Sequence, residues 1–202
     1  VLLHRLRAAG ESVDTLYEQP LTDFESLWIP HPDSNVDLCA MGIADVLEQC
    51  ERSGGVITYA PLTPALIPND AEKSEFGAVE HILMVGYPQG LWDHVNNMPV
   101  IRRGITATHP RLHWQGKKEF LIDAACFPGS SGSPVFLHDV GPYRTRSGDI
   151  EFSRRVMFLG VLYAGPYAHS SVSMNLPQLG PIAATVALPA NLGFVIQSDQ
   201  ML

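Results

Sequence analysis

The sequence predicts an all-β fold, a barrel or sandwich of short strands, over its 202 residues. Sixteen prolines and 17 glycines cut the chain into brief apolar runs, as expected of a chain that turns often. Hydrophobic residues make up 46% and charged residues 17%, enough apolar material to pack a compact unit. Only one stretch has a clear helical period.

Taken in order, Val1–Arg7 reads as a strand, Ala8–Ser12 as a turn and Val13–Leu16 as the return, which together make a hairpin. In Trp28–Met41 a polar turn runs into an apolar strand, with Asp37 where the strand begins. Asp33 lies inside that turn, where an aspartate commonly accepts a backbone N–H. Gly42–Arg52 is the helix: Ile43, Val46, Leu47 and Cys50 recur at i, i+3, i+4 and i+7, the spacing of a core-facing stripe. Pro61–Glu75 is proline-rich and polar and reads as a connection, dividing the chain into 1–75 and 76–202.

Beyond it, His81–Gly90 is a buried strand ending in a Pro/Gly turn, and Arg103–Ala107 opens another. Phe120–Cys126 leads into a Gly/Ser-rich loop, Val156–Gly165 is an apolar strand, and Asn191–Ile196 is the last one.

A net charge of −8 argues against a nucleic-acid footprint, and Arg102-Arg103 and Lys117-Lys118 are isolated pairs. No apolar run approaches a membrane-spanning helix, so no membrane insertion is expected. Three cysteines make no disulfide framework, and Cys39 and Cys126 read as small buried side chains in strands. No His/Cys cluster has metal-site spacing and no phosphate loop follows a strand, so neither metal nor cofactor is expected.

The loop Phe127-Pro128-Gly129-Ser130-Ser131-Gly132-Ser133-Pro134-Val135 carries the chemistry. Gly129 and Gly132 allow backbone conformations that a Cβ disfavours. Such a loop can expose one serine hydroxyl and turn consecutive N–H groups toward a common point. A nucleophile beside two donors for a developing oxyanion is the core requirement of acyl transfer.

This pattern resembles the Gly-x-Ser-Gly-Gly/Ser-Pro nucleophile loop of the trypsin-like (chymotrypsin-fold) serine proteases. Other segments resemble the HtrA-type bacterial members in the same order. These are Asp123-Ala124-Ala125 before the loop, Gly86-Tyr87-Pro88, Gly104-Ile105-Thr106-Ala107, the strand Val156–Gly165, and Gly193-Phe194-Val195-Ile196. The resemblance implies two six-stranded antiparallel β-barrels of chymotrypsin type with the helix inserted. The first, 1–75, would lack its initial strands, and the second, 76–202, would be whole.

It also implies a serine endopeptidase acting on a protein or peptide substrate through an acyl-enzyme. Ser131 would be the nucleophile, the N–H groups of Gly129 and Ser131 the oxyanion hole, and Asp37 the triad acid, buried against a histidine. Cys126, the wall Leu162-Tyr163-Ala164 and Gly193 would form the pocket for the residue before the cleaved bond. With no charge among them, that residue is expected to be uncharged and small or aliphatic; a pocket narrowed by Tyr163 is the rival.

The base is the difficulty. The family places a histidine before the acid in a Thr-x-x-His-Val type segment, and none occurs here. Of the two histidines before Asp37, His31 belongs to the turn and His4 to the N-terminal hairpin. Three readings stand: a histidine upstream of Val1, His4 itself, or a relative without a base that binds peptides as a pseudo-protease. His81, His94, His109, His113, His138 and His169 follow the acid, where the family has no base. His169, in the loop expected after the channel strand, is a candidate for binding an acidic substrate residue.

Overall fold

The computed structural model describes residues 2–6, 15–53, 61–96, 98–144, 147–176 and 180–202. Its centre is a closed barrel of six antiparallel strands. These are β5 (His81–Gly86), β6 (Val100–Thr106), β7 (Glu119–Asp123), β8 (Pro134–Arg144), β9 (Ile150–Ala164) and β12 (Leu192–Gln197), in the order β12-β7-β6-β5-β8-β9. β12 closes it by pairing with both β7 and β9.

The alternation read from the sequence fills the interior. Along β5, Ile82 and Met84 are buried while His81 is exposed, the period of two that puts successive side chains on opposite faces. Phe120, Ile122, Val135, Leu137 and Val195 complete the centre of the core. Opposite Val135/Phe136 and Phe194/Val195 the register shifts by one residue, leaving Leu159 and Tyr163 as extra residues that bend β9, as closing a small barrel requires.

Two β-hairpins extend from or lie beside this barrel. β8 and β9 continue as a pair to Arg144 and Ile150. Between β9 and β12 the chain forms β10 (Tyr167–Leu176) and β11 (Gly180–Pro189), a two-stranded sheet of its own.

The N-terminal part differs. β1 (Leu2–Leu6) pairs with β2 (Thr15–Gln19), the hairpin the sequence predicts; its turn lies outside the described residues. β3 (Trp28–Pro30) pairs with β4 (Cys39–Met41). Helix α1 (Ala44–Arg52) buries Val46 and Cys50, so the predicted stripe faces inward. The described residues before 61 thus hold two separate hairpins, a short 3-10 turn at Phe24–Leu27 and an α-helix, with no closed second barrel among them. Cys39, expected to be buried, is exposed: β4 pairs with only the three-residue β3 among the described residues, and such a short two-stranded ladder buries little.

In the connection, a short helix α2 (Asp70–Ser74) follows Asn69, whose side chain caps the Glu72 N–H while the Glu72 carboxylate accepts the Asn69 N–H. Downstream, Glu80 is buried and tied to the long hairpin. Arg155 donates to Glu80 Oε2 at 2.8 Å and through Nε to Asp139 Oδ2 at 3.0 Å, with Tyr143 under its guanidinium. The second Glu80 oxygen accepts the Gly77 N–H at 2.6 Å. Among the described residues no helix is long and apolar enough to cross a membrane.

Candidate active site

The adjacent serines Ser130 and Ser131 have opposite environments, and Ser133 is buried like Ser130. Ser130 is buried, 2% exposed, and its Oγ has no partner among the described residues; Ser131 is exposed. Only Ser131 presents a hydroxyl to an incoming molecule.

The backbone around it distributes its donors unevenly. Ser130 N–H bonds the Phe127 carbonyl at 3.0 Å, Gly132 N–H the Leu162 carbonyl at 2.7 Å, and Ser133 N–H the Ser130 carbonyl at 3.2 Å. Pro128 has no N–H to give. Among the described residues, the N–H groups of Gly129 and Ser131 have no acceptor. Two free donors flanking an exposed hydroxyl can stabilise an oxyanion.

Gly129 is required for this shape. Its φ is +82°, and a Cβ there would stand 3.0 Å from the Gln89 nitrogen, which itself donates to the Pro128 carbonyl at 2.8 Å. The turn after β5 therefore presses directly on the donor loop.

Beside Ser131 lies a pocket of about 210 Å³. Cys126, Phe127, Leu162 and Ala164 line it with Gly165, Tyr167 and Pro189, and no charged side chain does. Gly193 lies under it: a Cβ there would fall 2.5 Å from Leu162 Cδ1 and 2.7 Å from Cys126 Sγ. Burial pushes the Cys126 thiol up to about 11, with a small opposing pull from Arg102, so the pocket wall is neutral.

Tyr163 does not belong to that wall. It is the extra residue of the β9 bulge opposite Phe194/Val195, and it lines a different cleft from Leu162 and Ala164. Its phenol donates to Glu119 Oε2 at 2.6 Å. Burial first, then that hydrogen bond, hold the phenol protonated well above its ordinary range; the charge of Asp37 acts in the same direction. His169 likewise falls elsewhere than expected, on β10 opposite Ala187 rather than in a loop, exposed and outside the pocket lining.

The turn before β4 separates the two aspartates. Asp33 Oδ1 accepts the Asn35 backbone N–H at 3.0 Å and the Asn35 side chain at 2.9 Å, and these bonds lower its carboxyl below the usual range. His31 Nδ1 accepts the Asp33 N–H at 3.0 Å, so both residues are occupied in the turn. Asp37 is left over. It lines a cleft of about 140 Å³ with Tyr163, Glu119, Lys117 and Lys118. Contrary to the expectation of a buried acid, Asp37 is exposed.

Tyr163 stands between the two expected partners. Its backbone carbonyl accepts the Ser131 hydroxyl at 2.9 Å, and its side chain shares the cleft with Asp37. His4 is on β1, opposite Tyr17 in a hairpin that, among the described residues, pairs with no other strand. No described histidine bonds Ser131 Oγ.

Sequence reasoning missed Glu119, Tyr167 and Pro189. Glu119, the carboxylate that directly precedes the apolar Phe120-Leu121-Ile122, was a legible sign of a buried carboxylate needing a donor. Tyr167 and Pro189 come together only because β10 and β11 pair.

No protein-family model, curated protein or solved structure matches this chain.

Proposed function

We propose that the chain is the body of a trypsin-like serine endopeptidase of the chymotrypsin two-barrel type, cleaving peptide bonds through an acyl-enzyme on Ser131. The observation that carries this reading is the exposed Ser131 hydroxyl between two unengaged N–H donors, beside a neutral pocket.

In the proposed reaction the Ser131 hydroxyl leaves the Tyr163 carbonyl and passes its proton to a histidine as Oγ attacks the substrate carbonyl carbon. The oxyanion is held by the N–H groups of Gly129 and Ser131. Collapse expels the amine, which takes the proton from the imidazolium, and water then releases the acid by the same steps. Asp37 orients the histidine and stabilises its charged form. The resemblance places that histidine before Asp37 in chain order. The pocket selects an uncharged, small or aliphatic residue before the cleaved bond.

The test uses the protein in its full natural length. Wild type takes up a fluorophosphonate reagent on Ser131 and cleaves a peptide library after small aliphatic residues. Ser131→Ala loses both, and cleavage falls by about 10³-fold or more. Asp37→Asn keeps the fold and loses about 10³- to 10⁴-fold in kcat. Cleavage undiminished in Ser131→Ala refutes the assignment, and a library dominated by Lys, Arg, Asp or Glu refutes the pocket.

A second reading is a peptide-binding pseudo-protease of the same fold. It is favoured by the Ser131 hydroxyl bonding a carbonyl, which cannot act as a base, with no described histidine beside it. A wild-type chain that binds peptides while Ser131 stays unlabelled selects this reading.

A further inference from the structure

The β10–β11 hairpin stands at the pocket that holds Ser131. β9 and β12 are adjacent antiparallel strands, with Ala164 opposite Phe194, and a few residues would join them. The chain instead builds two ten-residue strands. At about 3.3 Å per residue, that is an arm of roughly 33 Å. Its root is the register pair Tyr167 and Pro189, and both residues line the pocket that holds Ser131. The Ala190 N–H bonds the Pro166 carbonyl at 3.0 Å and closes that root.

The arm has two unusual properties. No Asp, Glu, Lys or Arg occurs between Arg155 and Asp199, although the chain as a whole carries 13 basic and 21 acidic residues. Proteins ordinarily guard an exposed strand edge with charges or proline. Among the described residues neither outer edge of this two-stranded sheet is paired, and no charge guards it.

The two edges are not equivalent. β11 carries Pro181 and Pro189, which lack N–H groups, whereas β10 has no proline. The edge of β10 can therefore offer a continuous ladder. An isolated two-stranded ladder is marginal in water, so a third strand adds stability as well as contact.

We infer that the β10 edge takes up the stretch of an extended, uncharged polypeptide that precedes the residue held in the pocket, as an added antiparallel or parallel strand. The proposal rests on the pocket being the place where a substrate side chain sits. A chain that fills the pocket passes the Tyr167–Pro189 pair and reaches the arm, and an arm without charges selects against a charged one. A second copy of this chain, pairing β10 to β10, is the competing occupant.

Binding to the full natural chain carrying Ser131→Ala tests this separately from catalysis. Fluorescently labelled neutral peptides are compared with and without six further residues before the pocket residue. The extended peptide is expected to bind about tenfold tighter. N-methylation of alternate amides in the extension, or lysines placed there, should remove the gain. Ser171→Pro, on exposed β10, should remove it as well while leaving the short peptide's affinity and the far-UV spectrum unchanged.

Equal affinity for short and extended peptides, or a Ser171→Pro variant that still gains from the extension, overturns the inference. So does a concentration-dependent dimer in sedimentation that Ser171→Pro converts to monomer, because the edge then belongs to a second copy. An extension-dependent gain in a chain whose wild-type Ser131 takes no fluorophosphonate supports the arm and refutes only the enzymatic reading.

Discussion

The closed barrel and the residues before position 61 are built from similar apolar runs, but they end in opposite states. In the barrel every strand has two neighbours, and Ile82, Phe120, Ile122, Val135, Leu137 and Val195 have almost no exposed surface. In the N-terminal part β3 is exposed along its whole length, Ile29 by 69%, and only Val46 and Cys50 of the described side chains are buried apolar ones. Closure, not hydrophobicity, makes the difference: a strand with an unpaired edge and an uncovered face cannot bury what it carries. The consequence for the site is direct. Ser131 and its two donors belong to the closed unit, and Asp37 belongs to the open one and meets it across Tyr163.

The sharpest way to break this contrast is at the seam of the barrel. Gly160 lies on β9 where β12 closes the ring, and a Cβ there would be 1.9 Å from the Ile196 carbonyl oxygen. Neither backbone can yield without opening the closure. Gly160→Ala should therefore remove at least about 3 kcal/mol, a fall of roughly 6–12 °C in Tm for a chain of this size. The same substitution at Gly42, in the open part with nothing within 4 Å, should change Tm by little. A Gly160→Ala variant as stable as wild type would show that the seam is looser than described.

Arg155→Met is of comparable size. It leaves the Glu80 and Asp139 carboxylates buried without their cation, a change worth about 3–5 kcal/mol at neutral pH. Arg103→Met, on an exposed side chain of β6, should stay within about 0.5 kcal/mol. Urea midpoints of the two variants measure the difference.

Much of the closed unit was legible because its signals are local. Period-two alternation marks β5, the Pro/Gly turn ends it, and the Gly129–Gly132 spacing marks the loop. The choice of Ser131 over Ser130 was legible only through resemblance, since burial of one of two adjacent serines depends on which way the loop turns. Tyr163 was misplaced for a similar reason. The apolar character of Val156–Gly165 was clear, but which residues face the pocket depends on the register with β12, and a bulge opposite Phe194/Val195 shifts it. The β10–β11 arm escaped notice because its alternation is between apolar and small neutral residues, which gives little contrast. Asp37 was singled out by its place before β4, and its exposure was not foreseeable without knowing what covers that hairpin.

The least invasive way to sharpen the comparison uses the three cysteines, which report on both parts. Cys39 is exposed on β4, and Cys50 and Cys126 are buried. Burial raises the Cys50 thiol, and raises Cys126 to about 11 from the ordinary 9.0. Since the thiolate is the nucleophile, iodoacetamide at about pH 8 should modify Cys39 within minutes and spare the other two. Peptide mapping reads this directly, and alkylation of Cys126 at a comparable rate would contradict the closed pocket wall. The linkage has a definite sign. A folded-state value above the unfolded one means that Cys126 favours the folded chain fully below about 9, and that this contribution is lost as the pH rises toward about 11. Tm of the wild type should accordingly fall more steeply across that window than Tm of Cys126→Ala. A Cys39→Ala variant should follow the wild-type curve, because removing an exposed thiol on an open hairpin leaves the barrel's titration intact.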